Sequence, residues 1–115
     1  MQNLNFDDTV RLCGGKAEIA KDIIQMMIND LPTQKVQLEQ AYQQQNWEEL
    51  AHLTHKLVGA ALYCAMEELT YTAKMLNASI RQKKLQDIPQ QYTELQNAID
   101  AVMRVAANEL NIHQN

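Results

Sequence analysis

A chain of 115 residues is long enough to bury one core without help from disulfides or metals, and it is expected to form a single domain over residues 1–115. Apolar residues make up 46 % of it and only three glycines and two prolines interrupt it, which is the composition of a helical protein. Fourteen acidic against ten basic residues leave a net charge of −4, which argues against a counterion-driven interface with nucleic acid or anionic lipid and favours protein partners.

No apolar run approaches the roughly 20 residues of a membrane span. The polar start Met1-Gln2-Asn3 does not have the form of a signal peptide, so a soluble, cytoplasmic chain without direct membrane contact is expected. Cys13 and Cys64 make no CxxC or other metal-ligand spacing and sit among apolar residues. Both are expected to be reduced core thiols.

The first element is a short helix capped by Asn5, running through Val10 and Leu12 and stopping at Gly14-Gly15, a pair suited to a left-handed helix end. A long helical segment begins at Lys16, places Ile19, Ile23, Met27 and Leu31 on one stripe, and continues to about Gln45; Pro32 should kink or divide it. Asn46-Trp47-Glu48-Glu49 has the form of a capping box. The helix it opens carries the stripe Leu50, Leu53, Leu57, Ala61 and Cys64 and is expected to end near Ala65.

The next helix starts near Glu67, with acidic residues at its positive end and the stripe Leu69, Ala73, Leu76 and Ile80. Arg81, Lys83 and Lys84 suit its C-terminus. Asp87 then caps a last helix, with Pro89 in its first turn and Tyr92, Leu95, Ile99, Val102 and Ala106 as its stripe. The fold class is therefore all-α: an up-down antiparallel four-helix bundle preceded by a short N-terminal helix.

On the helix opened by Asn46, His55 projects about 160° from Leu57 and should reach solvent. Around it lie Ala51, Val58, Gly59, Leu62 and Met66, small or apolar where a solvated face would carry charge. Ala51, Val58, Leu62 and Met66 are therefore candidates for a docking surface. Gly59, one turn after His55, costs the helix about 1 kcal/mol relative to Ala. Its missing side chain gives steric access to the imidazole.

His55-Lys56-Leu57-Val58-Gly59 resembles the His-Lys-Leu-x-Gly signature of histidine phosphotransfer (HPt) domains. The following Ala60-Ala61-Leu62-Tyr63-Cys64-Ala65 looks like the variant at the C-terminus of hybrid sensor kinases of the BarA/GacS type. Where that family often has a basic residue this chain has Val58, and where small residues or glycine are frequent it has Leu62 and Ala65, so its docking face is expected to be more apolar and bulkier.

The resemblance implies phosphorelay signalling, in which His55 accepts a phosphoryl group from a receiver-domain aspartate and passes it to the aspartate of a response regulator. A neutral imidazole offers a ring-nitrogen lone pair, so no general base is needed. The partners implied are the receiver domains of a hybrid sensor kinase and of a response regulator, at the cytoplasmic end of an inner-membrane kinase if the domain belongs to one. The domain itself is then a phosphocarrier and not an enzyme. It has no cofactor or metal of its own, because Mg²⁺ belongs to the receiver, and as an isolated domain it is expected to be a monomer. Lys56 is expected to stabilise phosphoryl oxygens by charge-assisted hydrogen bonds. Asn77, opposite His55 if the two central helices fold as a hairpin, is a candidate hydrogen-bond partner of the imidazole or phosphate. Lys74, Arg81 and Lys84 share a flank that either meets the acidic rim of a receiver or is simply solvated.

Two rivals remain. Glu49-Leu50-Ala51-His52 matches one Glu-x-x-His motif of a di-metal helical bundle, but such a site needs two motifs and two further glutamates. A zinc site from His52 and His55 lacks a third ligand, and His52 and His113 are read as surface histidines. The stronger rival is a degenerate HPt-like module that binds receivers without carrying phosphate, supported by Val58, Leu62 and Ala65.

Overall fold

A computed structural model describes the backbone of residues 10–11, 14–63 and 66–114. Its principal elements are α1 (Ala17–Gln43), α2 (Trp47–Tyr63), α3 (Glu67–Arg81) and α4 (Ile88–Gln114), with a 3-10 turn at Leu85–Asp87 leading into α4. Each helix packs on the next in sequence and α4 returns to α1, so the four close a ring around one core. The reversals between them are short, which forces sequence neighbours to run antiparallel. The molecule measures 45 × 22 × 21 Å. Its long axis is that of α1 and α4, each about 40 Å at 1.5 Å per residue.

The reversals use backbone chemistry that composition alone does not advertise. After α1, Asn46 N–H bonds the Ala41 carbonyl at 2.9 Å and Gln45 N–H the Tyr42 carbonyl at 3.0 Å, with Gln45 at φ 54°. After α3 the same pair recurs: Lys84 N–H to Ser79 and Lys83 N–H to Ile80, with Lys83 at φ 60°. Both are Schellman ends built without glycine. Each costs about 1–2 kcal/mol for the left-handed residue and satisfies two carbonyls that the helix end leaves open. The glycine pair does take this role in the segment before α1, where Gly14 lies at φ 69° and Gly15 N–H bonds the Val10 carbonyl. The rest of the short N-terminal helix, both cysteines and Ala65 lie outside the described residues, as do the side chains of Ala106 and His113.

Asn46 caps α2 as its sequence predicts, its Oδ1 accepting from Glu49 N–H at 3.2 Å. Pro32, in contrast, does not divide α1, which is one helix from Ala17 to Gln43. Pro32 is exposed, so the carbonyl it leaves unpaired one turn earlier falls on the side that water reaches. The stripe of α1 is also corrected. Ala20, Ile24, Met27 and Leu31 are buried, while Ile19 is 41 % exposed and Ile23 only partly buried. A row of strict fourth residues drifts about 40° per step around the helix, whereas the alternating three-and-four row stays over the core.

In the other helices the predicted stripes hold: Leu50, Leu57 and Ala61, then Leu69, Ala73, Leu76 and Ile80, then Leu95, Ile99 and Val102 are all buried, with Leu53 and Tyr92 packed at the edge. At the end of the bundle where α1 turns into α2, Tyr42 stacks on Tyr92 with ring centroids 4.0 Å apart and meets Trp47 edge-on at 6.3 Å. This aromatic cluster ties the start of α2 to α1 and α4 and so sets the axial position of His55 two turns further on.

Candidate functional site

α2 is flanked by α1 on one side and α3 on the other, and its buried arc is wider than a single stripe. Thr54 is fully buried and Ala51 nearly so, and Val58 is partly buried against the core. Ala51 and Val58 lie about 100–120° from Leu57 on the wheel, on the flank that α3 covers. Ala51 is therefore not an open docking residue, contrary to expectation, and Val58 keeps only part of its surface. His55, Lys56 and Gly59 remain exposed. A Cβ built on Gly59 meets nothing within 4 Å, so the space beside the imidazole is open.

Met66 is also corrected. The helix was expected to reach Ala65, which would have placed Met66 on the outward face of α2. The expected end of that helix at Ala65 lies outside the described residues, but Met66 occupies the N-cap position of α3 with no solvent exposure. Its N–H bonds the Ala61 carbonyl at 3.0 Å, and its side chain plugs the end of the core. Leu62, by contrast, is 53 % exposed as predicted. It is left as the one large apolar side chain of the proposed docking set that faces solvent.

Asn77 stands opposite this part of α2, as hairpin symmetry predicts, but its partners differ from those expected. Its Nδ2 donates to the Ala51 carbonyl at 2.8 Å and to Thr54 Oγ1 at 3.0 Å. The Thr54 hydroxyl in turn reaches the carbonyls of Leu50 and Ala51, both at 3.0 Å. Its Oδ1 accepts from Arg81 Nε at 3.0 Å. Asn77 thus satisfies polar groups inside the α2–α3 seam and holds a guanidinium at the rim, where direct contact with the imidazole had been expected.

Two shallow depressions flank the outward ridge of α2. One, of about 440 Å³, is lined by Trp47, Glu48, Ala51, His52, His55, Ile80 and Arg81. The other, of about 330 Å³, lies toward α1, where Lys56 faces Gln37, Gln40, Gln44 and Glu49. His55 and Lys56, adjacent in sequence, thus line different depressions because consecutive helical residues point about 100° apart. The basic side chain that shares a wall with His55 is Arg81, which the sequence placed only on a general basic flank. Its signal was its position one turn beyond Asn77. Among the described residues no group of three or more His, Cys, Asp or Glu is placed to hold a metal, and the Glu49–His52 pair finds no second pair. Among them, too, no helix is long and apolar enough to cross a membrane.

An all-helical hairpin pair presenting an exposed histidine over a small-residue notch is the architecture of a phosphotransfer bundle, and comparison with known proteins agrees. The model of the Hpt domain matches residues 22–104, so the chain belongs to the Hpt domain family, the histidine phosphotransfer modules of phosphorelay signalling. It is 28 % identical over 108 residues to the signal transduction histidine-protein kinase BarA of Escherichia coli (strain K12), covering 93 % of the chain and 12 % of that relative. To the sensor histidine kinase GacS of Pseudomonas protegens it is 26 % identical over 83 residues, 72 % of the chain and 9 % of the relative. The chain thus spans about an eighth or less of the length of these kinases. In fold it is similar to the crystal structure of the HPT domain from a sensor hybrid histidine kinase from Shewanella, with a TM-score of 0.88 at 20 % identity over 95 % of this chain and 94 % of that one.

Proposed function

We propose that His55 is the phosphoryl acceptor of this domain. It takes the group from an aspartyl phosphate of one receiver domain, within a hybrid sensor kinase of the kind the relatives represent, and gives it to the aspartate of a response regulator. A ring nitrogen of His55 forms the N–P bond as the O–P bond to the donor carboxylate breaks, and the reverse attack by the second aspartate restores the free imidazole. The observation that carries this reading is the exposure of His55 beside Gly59, where an added Cβ would meet no atom. A receiver can therefore bring its aspartate and the Mg²⁺ that it carries up to the ring without striking a side chain at position 59. The domain needs no metal or cofactor of its own in this scheme. It acts as a phosphocarrier whose catalytic groups sit on the partner.

Leu62, half exposed and two turns beyond His55, supplies the apolar part of the docking face. Lys56 contributes positive charge on the α1 side of that face. The rival reading, a module that binds receivers without carrying phosphate, has its sequence support in Val58, Leu62 and Ala65, the first standing where the family often has a basic residue. Val58 instead packs partly into the core, and the notch stays open. Incubation with a receiver carrying labelled phosphate tests the assignment. The label is expected to transfer to the wild-type domain, to be acid-labile, and to be absent from His55→Gln. Label that survives in His55→Gln would falsify it, and receiver binding without label would favour the rival.

A further inference from the structure

We infer that Arg81, on the α3 wall of the depression that His55 lines, is the cation that meets the phosphoryl oxygens on His55, and that Asn77 is the residue that positions it. The inference rests on the reading of His55 as the phosphoryl acceptor. Three observations carry it.

First, the residues that follow His55 on its own side of α2 offer no charge. Gly59 is bare, Val58 packs on the core, and Leu62 is apolar. Lys56 lines the depression toward α1, not the one that holds His55.

Second, the depression that does hold His55 contains three other titratable or charged side chains: Glu48, His52 and Arg81. Glu48 opposes a phosphoryl dianion there. Arg81 is the permanent positive charge in that wall, and a planar guanidinium matches phosphate geometry better than an ammonium does.

Third, Arg81 is held. Its Nε–H donates to Asn77 Oδ1 at 3.0 Å, while Asn77 Nδ2 is anchored on the Ala51 carbonyl and Thr54 Oγ1 of the helix that bears His55. That single bond engages Nε and leaves both Nη groups uncommitted among the described residues. The amide of Asn77 is oriented by its two α2 acceptors, so its oxygen faces Arg81 and fixes one end of the guanidinium. The Nη end is then available to a phosphoryl group on the neighbouring histidine.

Phosphoramidate, a small donor that requires no docking surface, isolates this contribution. A ring nitrogen of His55 forms the N–P bond as the P–N bond to the donor breaks. Ammonia leaves, and the second ring nitrogen releases its proton to solvent. The wild-type domain, Arg81→Gln, Arg81→Lys, Asn77→Ala, Lys56→Gln and the double variant of Asn77→Ala with Arg81→Gln are labelled side by side, with thermal melts confirming the fold.

Arg81→Gln is expected to slow labelling on the order of tenfold, the scale of one charge-assisted hydrogen bond. Arg81→Lys should recover part of the rate, and Lys56→Gln should slow labelling by a smaller factor than Arg81→Gln does. Asn77→Ala should slow labelling by a smaller factor and have no further effect once Arg81 is already Gln, because positioning acts only through the guanidinium. Wild-type labelling by Arg81→Gln, a slowing by Lys56→Gln as large as that by Arg81→Gln, or independent multiplication of the Asn77 and Arg81 effects would each overturn the inference while leaving His55 as acceptor. A wild-type domain labelled on a residue other than His55 would overturn both.

Discussion

The side-chain amide of Asn77 on α3 donates at 2.8 Å to the backbone carbonyl of Ala51 on α2, one helical turn before His55. In an α-helix that carbonyl is also the acceptor for the N–H of His55 itself. The third helix therefore grips the second at the very turn that presents the histidine. Thr54, fully buried, completes the grip by accepting from the same amide at 3.0 Å. The amide thereby ties α3 to α2 by two hydrogen bonds at that turn.

Asn77→Ala should accordingly destabilise the domain by about 1–2 kcal/mol, since it deletes two hydrogen bonds from a half-buried seam. Urea denaturation followed by circular dichroism measures this, with native helix content expected to be unchanged. A variant as stable as wild type would mean that water replaces the amide without cost.

Gly59→Ala should stabilise the bundle by about 0.5–1 kcal/mol, because the new Cβ meets nothing and the helix loses a flexible residue. Gly59→Leu should also fold, but it should slow transfer from a receiver on the order of tenfold or more by filling the approach to His55. Stability and transfer rate would then move in opposite directions for the alanine and leucine series. A Gly59→Leu domain that transfers normally would leave the glycine without a role in access.

Leu62 and Met66 should separate cleanly. Leu62→Asp is expected to cost little stability and to weaken binding of an unphosphorylated receiver by roughly 1 kcal/mol or more, about fivefold, since the exposed part of a leucine is then lost from the interface. Met66→Ala should instead cost about 2–5 kcal/mol of folding stability, because it empties a fully buried site. Calorimetric titration and thermal melts read the two effects. Normal binding by Leu62→Asp would place the docking face elsewhere.

Tyr92 offers a pH signature. Burial raises its pKa above the ordinary 10.0, with a hydrogen bond from Gln96 Nε2 at 2.8 Å opposing the shift and the nearby Glu39 adding to it. The folded state then holds the phenol proton more tightly than the unfolded one. This contribution to stability is present in full below pH 10 and is lost as pH rises through the folded value. Melting temperatures of wild type should therefore fall more steeply above pH 10 than those of Tyr92→Phe, in which that proton is absent. Parallel curves would show that the ring is not selectively protonated by the fold.

Much of the site is legible in the sequence. The exposure of His55 and Leu62, the bare notch at Gly59 and the cap at Asn46 all follow from spacing along one helix, where about 100° per residue converts sequence into direction. The core stripes of α2, α3 and α4 follow for the same reason, because one apolar face per helix is a local property.

Residues whose state depends on a second element were not legible. Ala51 and Val58 are covered because α3 lies against that flank of α2, and the width of a buried arc is set by the number of neighbours, which periodicity does not count. Met66 is core because it stands at the N-cap of α3 and not on the outward face of α2, a position set by how the two helices meet. Asn77 was placed opposite His55 correctly, yet its amide went to the backbone of Ala51 and to Thr54, since a half-buried amide takes the acceptors that cannot reach water. The sequence by itself determined the four helices, their antiparallel order and the outward histidine. Only the tertiary structure decided which charge stands beside it, because Lys56 and Arg81 differ in the groove they line, and a groove belongs to two helices at once.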